Sequence, residues 1–147
     1  MLGKFRALLG GSRIGKDGYT DTEREATVSL LVLIAFSDQT LRISEKEQIM
    51  SVMESFDWSS EIDHEQIYFA AVTRVRQALV SDRSMDVFME DMRRSFSGEQ
   101  SLKRAIKLTL NIANSDGQFS IEEASFIDHI RRLNPTLSEE IEEKKGA

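Results

Sequence analysis

The chain has no cysteine, which excludes a disulfide, a zinc-thiolate site and a cysteine nucleophile. Its only proline, Pro135, lies near the C-terminal end, and no Gly/Ser-rich linker divides the 147 residues, a length that suits one domain. Long apolar runs are missing too. The richest, Leu30 to Phe36, is about a third of the roughly 20 residues needed to cross a bilayer, and Ala7-Leu8-Leu9 is far too short for a secretory h-region. A soluble, cytoplasmic protein is expected. Histidine is scarce: His64 and His129 are the only two, and they form no His-x-x-x-His pair. With no Gly-rich phosphate loop or nucleophile elbow either, no catalytic residues are expected, and the chain reads as a non-enzyme. Positive charge is in deficit, 19 basic against 25 acidic side chains for a net charge of -6, which argues against nonspecific nucleic-acid binding.

The basic residues that are present cluster at the start. Residues 1–16 carry Lys4, Arg6, Arg13 and Lys16 and no acid, so residues 1–18 are set apart as a basic N-terminal segment ahead of a helical domain over 19–147. Phe5, Leu8 and Leu9 at helical spacing leave open a weak peripheral contact with an anionic inner membrane face. A frayed tail containing Gly10, Gly11 and Gly15 is the plainer reading.

No segment sustains an alternation of period two, so the expected fold class is all-α: a bundle of about seven helices. Thr22-Glu23-Arg24-Glu25 reads as a capping box opening the first helix, and from Val28 to Phe36 only Ser29 is polar. A helix apolar on nearly every side belongs at the centre of a fold. Ser44-Glu45-Lys46-Glu47 caps the second helix, which buries Ile49, Met50, Met53 and Phe56 before Trp58-Ser59-Ser60 breaks the pattern. The third opens near Asp63, with an apolar face of Ile67, Phe69, Ala70, Val72, Val75, Ala78 and Leu79. The fourth follows Ser81-Asp82 and buries Met85, Phe88, Met92 and Phe96. The fifth begins near Glu99, and a sixth starts at Ser120. A short seventh follows Pro135.

Two stretches resemble each other: IAFSDQTLRISEKE from Ile34 to Glu47, and IANSDGQFSIEE from Ile112 to Glu123. In both, an apolar helix ends in Ser-Asp, a turn follows, and Ser-x-x-Glu opens the next helix. Helices one and two therefore correspond to helices five and six, an internal helix-turn-helix repeat. Asp38 and Asp116 stand out, because the macrodipole at a helix C-terminus favours a cation over a carboxylate. A bound divalent cation would reverse that penalty; an Asx-type turn, with Gly117 supplying positive φ, would also account for it. Glu47 and Glu123 already have a role as partners of the caps Ser44 and Ser120. The second turn is not an EF-hand loop: with Gly117 at the sixth position, the first falls on Ile112, which offers no side-chain oxygen.

The paired turns, separated by two helices, resemble the TerB-like tellurite-resistance family, and the resemblance covers nearly the whole chain. It implies a compact bundle of about seven helices with an internal repeat and a surface acidic cluster for divalent cations such as calcium. It also implies a role in bacterial resistance to tellurite and other stresses. Related domains occur fused to DnaJ-type co-chaperones. Asp116, Gly117, Ser120 and Glu123 match the second motif. In the first copy Asp38, Ser44 and Glu47 match, but Gln39 stands where glycine is usual and Arg42 adds a positive charge beside the cluster. The expected metal ligands are Asp38, Glu47, Asp116 and Glu123, with a divalent cation (Ca, Mg or Mn) and no organic cofactor. The alternative is a metal-independent interaction module whose acidic surface recruits a protein partner.

Overall fold

The computed structural model describes residues 15–36 and 43–113, and among these five helices and no strand are found. They are α1 (Asp21–Ala35), α2 (Ile43–Ser55), α3 (His64–Ala78), α4 (Asp82–Ser95) and α5 (Glu99–Ala113). The expected sixth and seventh helices, and with them the second copy of the repeat, lie outside the described residues.

The polarity pattern of α1 dictates its place. Every residue from Ala26 to Ile34 is buried, and the helix packs against all four of the others. Its hydroxyls avoid a desolvation penalty by bonding back one turn: Thr27 Oγ1 donates to the Glu23 carbonyl at 2.8 Å and Ser29 Oγ to that of Glu25 at 3.3 Å. Ser29 also accepts from Arg74 Nη1 at 2.6 Å, which fastens α3 to the central helix.

The capping box that opens α1 stands two residues earlier than the sequence pattern suggests. Thr20 is the N-cap: its hydroxyl accepts from the Glu23 N–H at 3.2 Å while its own N–H donates to Glu23 Oε1 at 2.8 Å. Thr22 is exposed within the first turn instead. Both Thr20-x-x-Glu23 and Thr22-x-x-Glu25 satisfy the motif in sequence. The choice falls on the pair whose glutamate turns inward, since Glu23 is buried and finds further donors there.

Caps set the next boundaries. Asp63 Oδ1 accepts from the Gln66 N–H at 3.3 Å to open α3, and Ser81 Oγ from the Ser84 N–H at 3.0 Å to open α4. After α2, the Trp58 indole N–H donates to the Met53 carbonyl at 2.8 Å. On α4, Met85, Phe88, Met89 and Met92 are buried while Arg93 and Arg94 face solvent. On α5, Leu102, Ala105, Ile106 and Leu110 are buried and Lys107 and Asn111 exposed.

The expected face of α3 needs correction. Ile67, Val72, Val75 and Ala78 are buried, but Phe69 is 58% and Leu79 41% exposed, Ala70 is exposed, and Tyr68 and Ala71 lie inside in their place. Two residues along a helix turn the side chain by about 200°, so Phe69 cannot share the side of Ile67. Its ring instead carries the Lys46 ammonium, 5.4 Å from the centroid, and Lys46 also pairs with Glu65 at 3.3 Å. Burial therefore predicts a sharp contrast between two apolar truncations. In urea unfolding, Leu30→Ala is expected to cost about 2–5 kcal/mol, whereas Phe69→Ala should cost no more than about 1 kcal/mol.

Candidate functional site

Of the residues expected at the paired turns, Ser44 and Glu47 are described. Both are exposed and lie in the first two turns of α2, which begins at Ile43, so Ser44 falls one residue inside the helix. Asp38, Asp116, Gly117, Ser120 and Glu123 lie outside the described residues. α1 ends at Ala35 with Phe36 as its C-cap and carries no basic side chain in its last turn. Lys46, adjacent to Glu47, is directed to Glu65 and to the rings of Tyr68 and Phe69 on α3. Among the described residues no group of three or more His, Cys, Asp or Glu side chains is arranged to hold a metal ion. His64, on the first turn of α3, is half-buried with its ring 6.3 Å from that of Trp58.

The acids that do converge lie at the opposite end of α1, and their partner is an arginine that the sequence reading passed over. Arg24 has no exposure to solvent. Its Nε and Nη2 donate to the two oxygens of Asp17 at 2.9 and 2.8 Å, a bidentate fork. Nη1 donates to Asp21 Oδ1 at 2.5 Å and Nη2 also to the Tyr19 carbonyl at 2.6 Å. The Trp58 ring covers the guanidinium at 5.9 Å. Each carboxylate then reaches further. Asp17 accepts the N–H groups of Asp57 at 3.0 Å and Tyr19 at 3.1 Å. Asp21 accepts the Ser59 N–H at 3.1 Å and the Ser59 hydroxyl as well.

Glu23, next in sequence to Arg24, serves the other side of the helix start. Besides completing the cap, its Oε2 accepts the Ser97 N–H at 3.1 Å and hydroxyl at 3.2 Å, from the connection between α4 and α5. From α5 itself, Arg104 Nη2 donates to the Asp17 carbonyl at 2.6 Å, with its guanidinium 4.9 Å from the Tyr19 ring centroid. The beginning of α1 thus gathers the preceding turn, the α2–α3 and α4–α5 connections, and α5.

Two glycines make this closeness possible. The turn at 15–19 is closed by the Gly18 N–H to the Gly15 carbonyl at 3.0 Å and the Gly15 N–H to the Tyr19 carbonyl at 2.9 Å. A methyl on Gly15 would overlap Arg24 Nη2, and Gly18, at φ 83°, lies against the Arg104 guanidinium. Gly15, read from sequence as part of a frayed tail, is held in place because only glycine fits beside a buried guanidinium. The sequence did carry a signal: Asp17, Asp21 and Arg24 have the i, i+4, i+7 spacing of one helical face, continued one turn ahead of the helix.

Electrostatics follow from this geometry. Burial alone would raise the Asp17 carboxyl, but the hydrogen bonds from Arg24, Asp57 and Tyr19, with the Arg24 charge, outweigh it and hold the pKa at about 2. Burial likewise works against Glu23, and the donors Ser101, Thr20 and Ser97 overcome it to bring its pKa below the ordinary value. Burial disfavours the Arg24 cation, and the Asp17 and Asp21 carboxylates more than restore it. The three are a matched structural set rather than a vacant ligand sphere.

Removing Arg24 leaves buried carboxylates uncompensated, so Arg24→Ala should lower unfolding stability by about 3–5 kcal/mol and redshift the emission of Trp58, the only tryptophan. The Asp17 pKa lies below its unfolded value of 3.8. Its contribution, roughly 2 kcal/mol, is therefore complete above about pH 4 and lost as pH falls toward 2. A pH series of urea midpoints should show that loss, and Asp17→Asn should remove it.

No curated protein and no solved structure matches the chain. A family model does: that of tellurite resistance protein TerB, over residues 24–138. The match begins at the buried arginine, runs through all the helices from α1 to α5 and takes in both Ser-Asp turns. The chain belongs to the TerB family.

Proposed function

We propose that this chain is a non-catalytic TerB domain that binds a divalent cation, calcium, magnesium or manganese, and acts in cytoplasmic resistance to tellurite and related stress. The ligands would be Asp38 and Glu47 from the first turn and Asp116 and Glu123 from the second. The observation that carries this reading is the family match, which extends across both acidic turns. The position of Glu47 supports it: the side chain is exposed in the second turn of α2, and the neighbouring ammonium of Lys46 is engaged by α3. Hard cations take carboxylate oxygens from flexible, partly solvated sites, so an exposed carboxylate just past a turn is suitable chemistry.

Ligation that joined the two turns would stabilise the folded chain by RT ln(1 + [L]/Kd), about 2.7 kcal/mol at a hundredfold excess over Kd. Calorimetric titration of chelator-treated protein with each ion in turn should give a saturable heat and a raised thermal midpoint. Both should be lost on Asp38→Asn combined with Asp116→Asn. The absence of heat and an unchanged midpoint at millimolar ion would overturn the reading. A module that recruits its partner through acidic charge, without metal, would instead hold that partner in chelator after both substitutions.

A further inference from the structure

A different surface of the molecule carries apolar side chains that the fold leaves uncovered. Five large hydrophobic residues are exposed among those described, and three of them, Leu79, Val80 and Val87, belong to the hairpin formed by α3 and α4. Val80 is 79% and Val87 57% exposed. Apolar groups grouped at one place on a charged surface mark sites of association, whereas scattered ones need no explanation. Of the three, Val87 lines a groove of about 350 Å³ between the two helices, together with Ala78, Phe88 and Met92. That volume is at the lower end of the range for ligand sites, room for a side chain or two rather than for an organic cofactor.

Charge decides what kind of side chain. Arg74 lines the groove from α3 and Arg83 from the first turn of α4. Arg74 is steadied by donating to Ser29 on α1 at 2.6 Å through one nitrogen, and a guanidinium has further N–H donors to offer. The one acid in the lining, Asp91, is two turns of α4 from Arg83. Two guanidiniums beside an apolar floor, on a chain whose net charge is -6, form a local inversion of sign. An anionic bilayer would have to approach the acidic body as a whole. A carboxylate carried on a peptide needs only the two arginines.

We propose that the groove between α3 and α4 receives an acidic amphipathic segment of a partner protein, an apolar side chain lying over Phe88 and Met92 while a neighbouring carboxylate pairs with Arg83 and Arg74. Val87, at the rim, extends the apolar contact, and Leu79 and Val80 at the helix connection lie beyond it. This surface is separate from the Ser-Asp turns and needs no cation.

The test uses the full chain in chelator, so that it is independent of the cation reading, with methionine methyl groups isotopically labelled for NMR. The probe is a synthetic helical peptide with leucines at i, i+4 and i+7 and glutamate between them; its control replaces each glutamate by lysine. The acidic peptide should shift the Met92 methyl resonance and leave that of Met53, buried on α2, in place. The lysine control should bind at least tenfold more weakly. Arg83→Glu and, separately, Val87→Asp should each weaken binding tenfold or more with the thermal midpoint unchanged, since both side chains are exposed. The proposal is overturned by an unmoved Met92 methyl at millimolar peptide, by equal binding of the lysine control, or by indifference to both substitutions. It is also overturned if sedimentation shows the groove closed by a second copy of the chain, or if phosphatidylserine vesicles bind and the peptide does not.

Discussion

A guanidinium without access to water has to be matched where it lies, and that requirement shapes the molecule. Arg24 stands in the first turn of the helix that touches every other, and its donors are met by Asp17, Asp21 and the Tyr19 carbonyl. To supply them, the chain before α1 must fold back, which is possible only because Gly15 and Gly18 present no side chain to the two arginines. The carboxylates in turn take N–H groups from Asp57 and Ser59, so the connection between α2 and α3 is positioned by the same charge. Glu23 does the equivalent for the connection between α4 and α5. A network of this kind is poor at raising stability compared with a well-packed apolar substitute, because both charges must be desolvated. What it provides here is position. Three loops distant in sequence are brought to one helix end by directional bonds that apolar contacts would not specify.

The polar end and the apolar body of α1 divide the labour. From Ala26 to Ile34 the helix is surrounded on all sides, so its hydroxyls bond to the preceding turn, and Ser29 doubles as an acceptor for Arg74. The other helices, packed around it, need apolar residues on one side only, as α4 shows most clearly. That arrangement leaves their outer faces open to other chemistry: the exposed Glu47 carboxylate near the start of α2, and arginines beside apolar side chains at the α3–α4 hairpin.

Much of the fold was legible. The starts of α3 and α4 could be read from Asp63 and Ser81, since a side-chain oxygen ahead of an apolar run has few other reasons to be there. The core of α4 followed from its spacing. Reading failed where two local patterns were equally good. Thr20 and Thr22 both head a capping box, and only the inward turn of Glu23 separates them. Phe69 was assigned inside because it is apolar, although its angle around α3 places it outside. Of the candidate metal ligands, Glu47 is seen on an exposed surface and the remaining three lie outside the described residues, so that cluster rests on sequence and family.

The sequence by itself determined the helical class, the central place of α1 and the family, because these depend on periodicity, uninterrupted apolar character and motifs that are local in the chain. Tertiary structure alone decided the role of Asp17, Gly15 and Arg24. Their meaning arises from residues 57, 59 and 104 arriving beside them: the i, i+4, i+7 spacing of Asp17, Asp21 and Arg24 is local, and it does not name partners forty or eighty residues away.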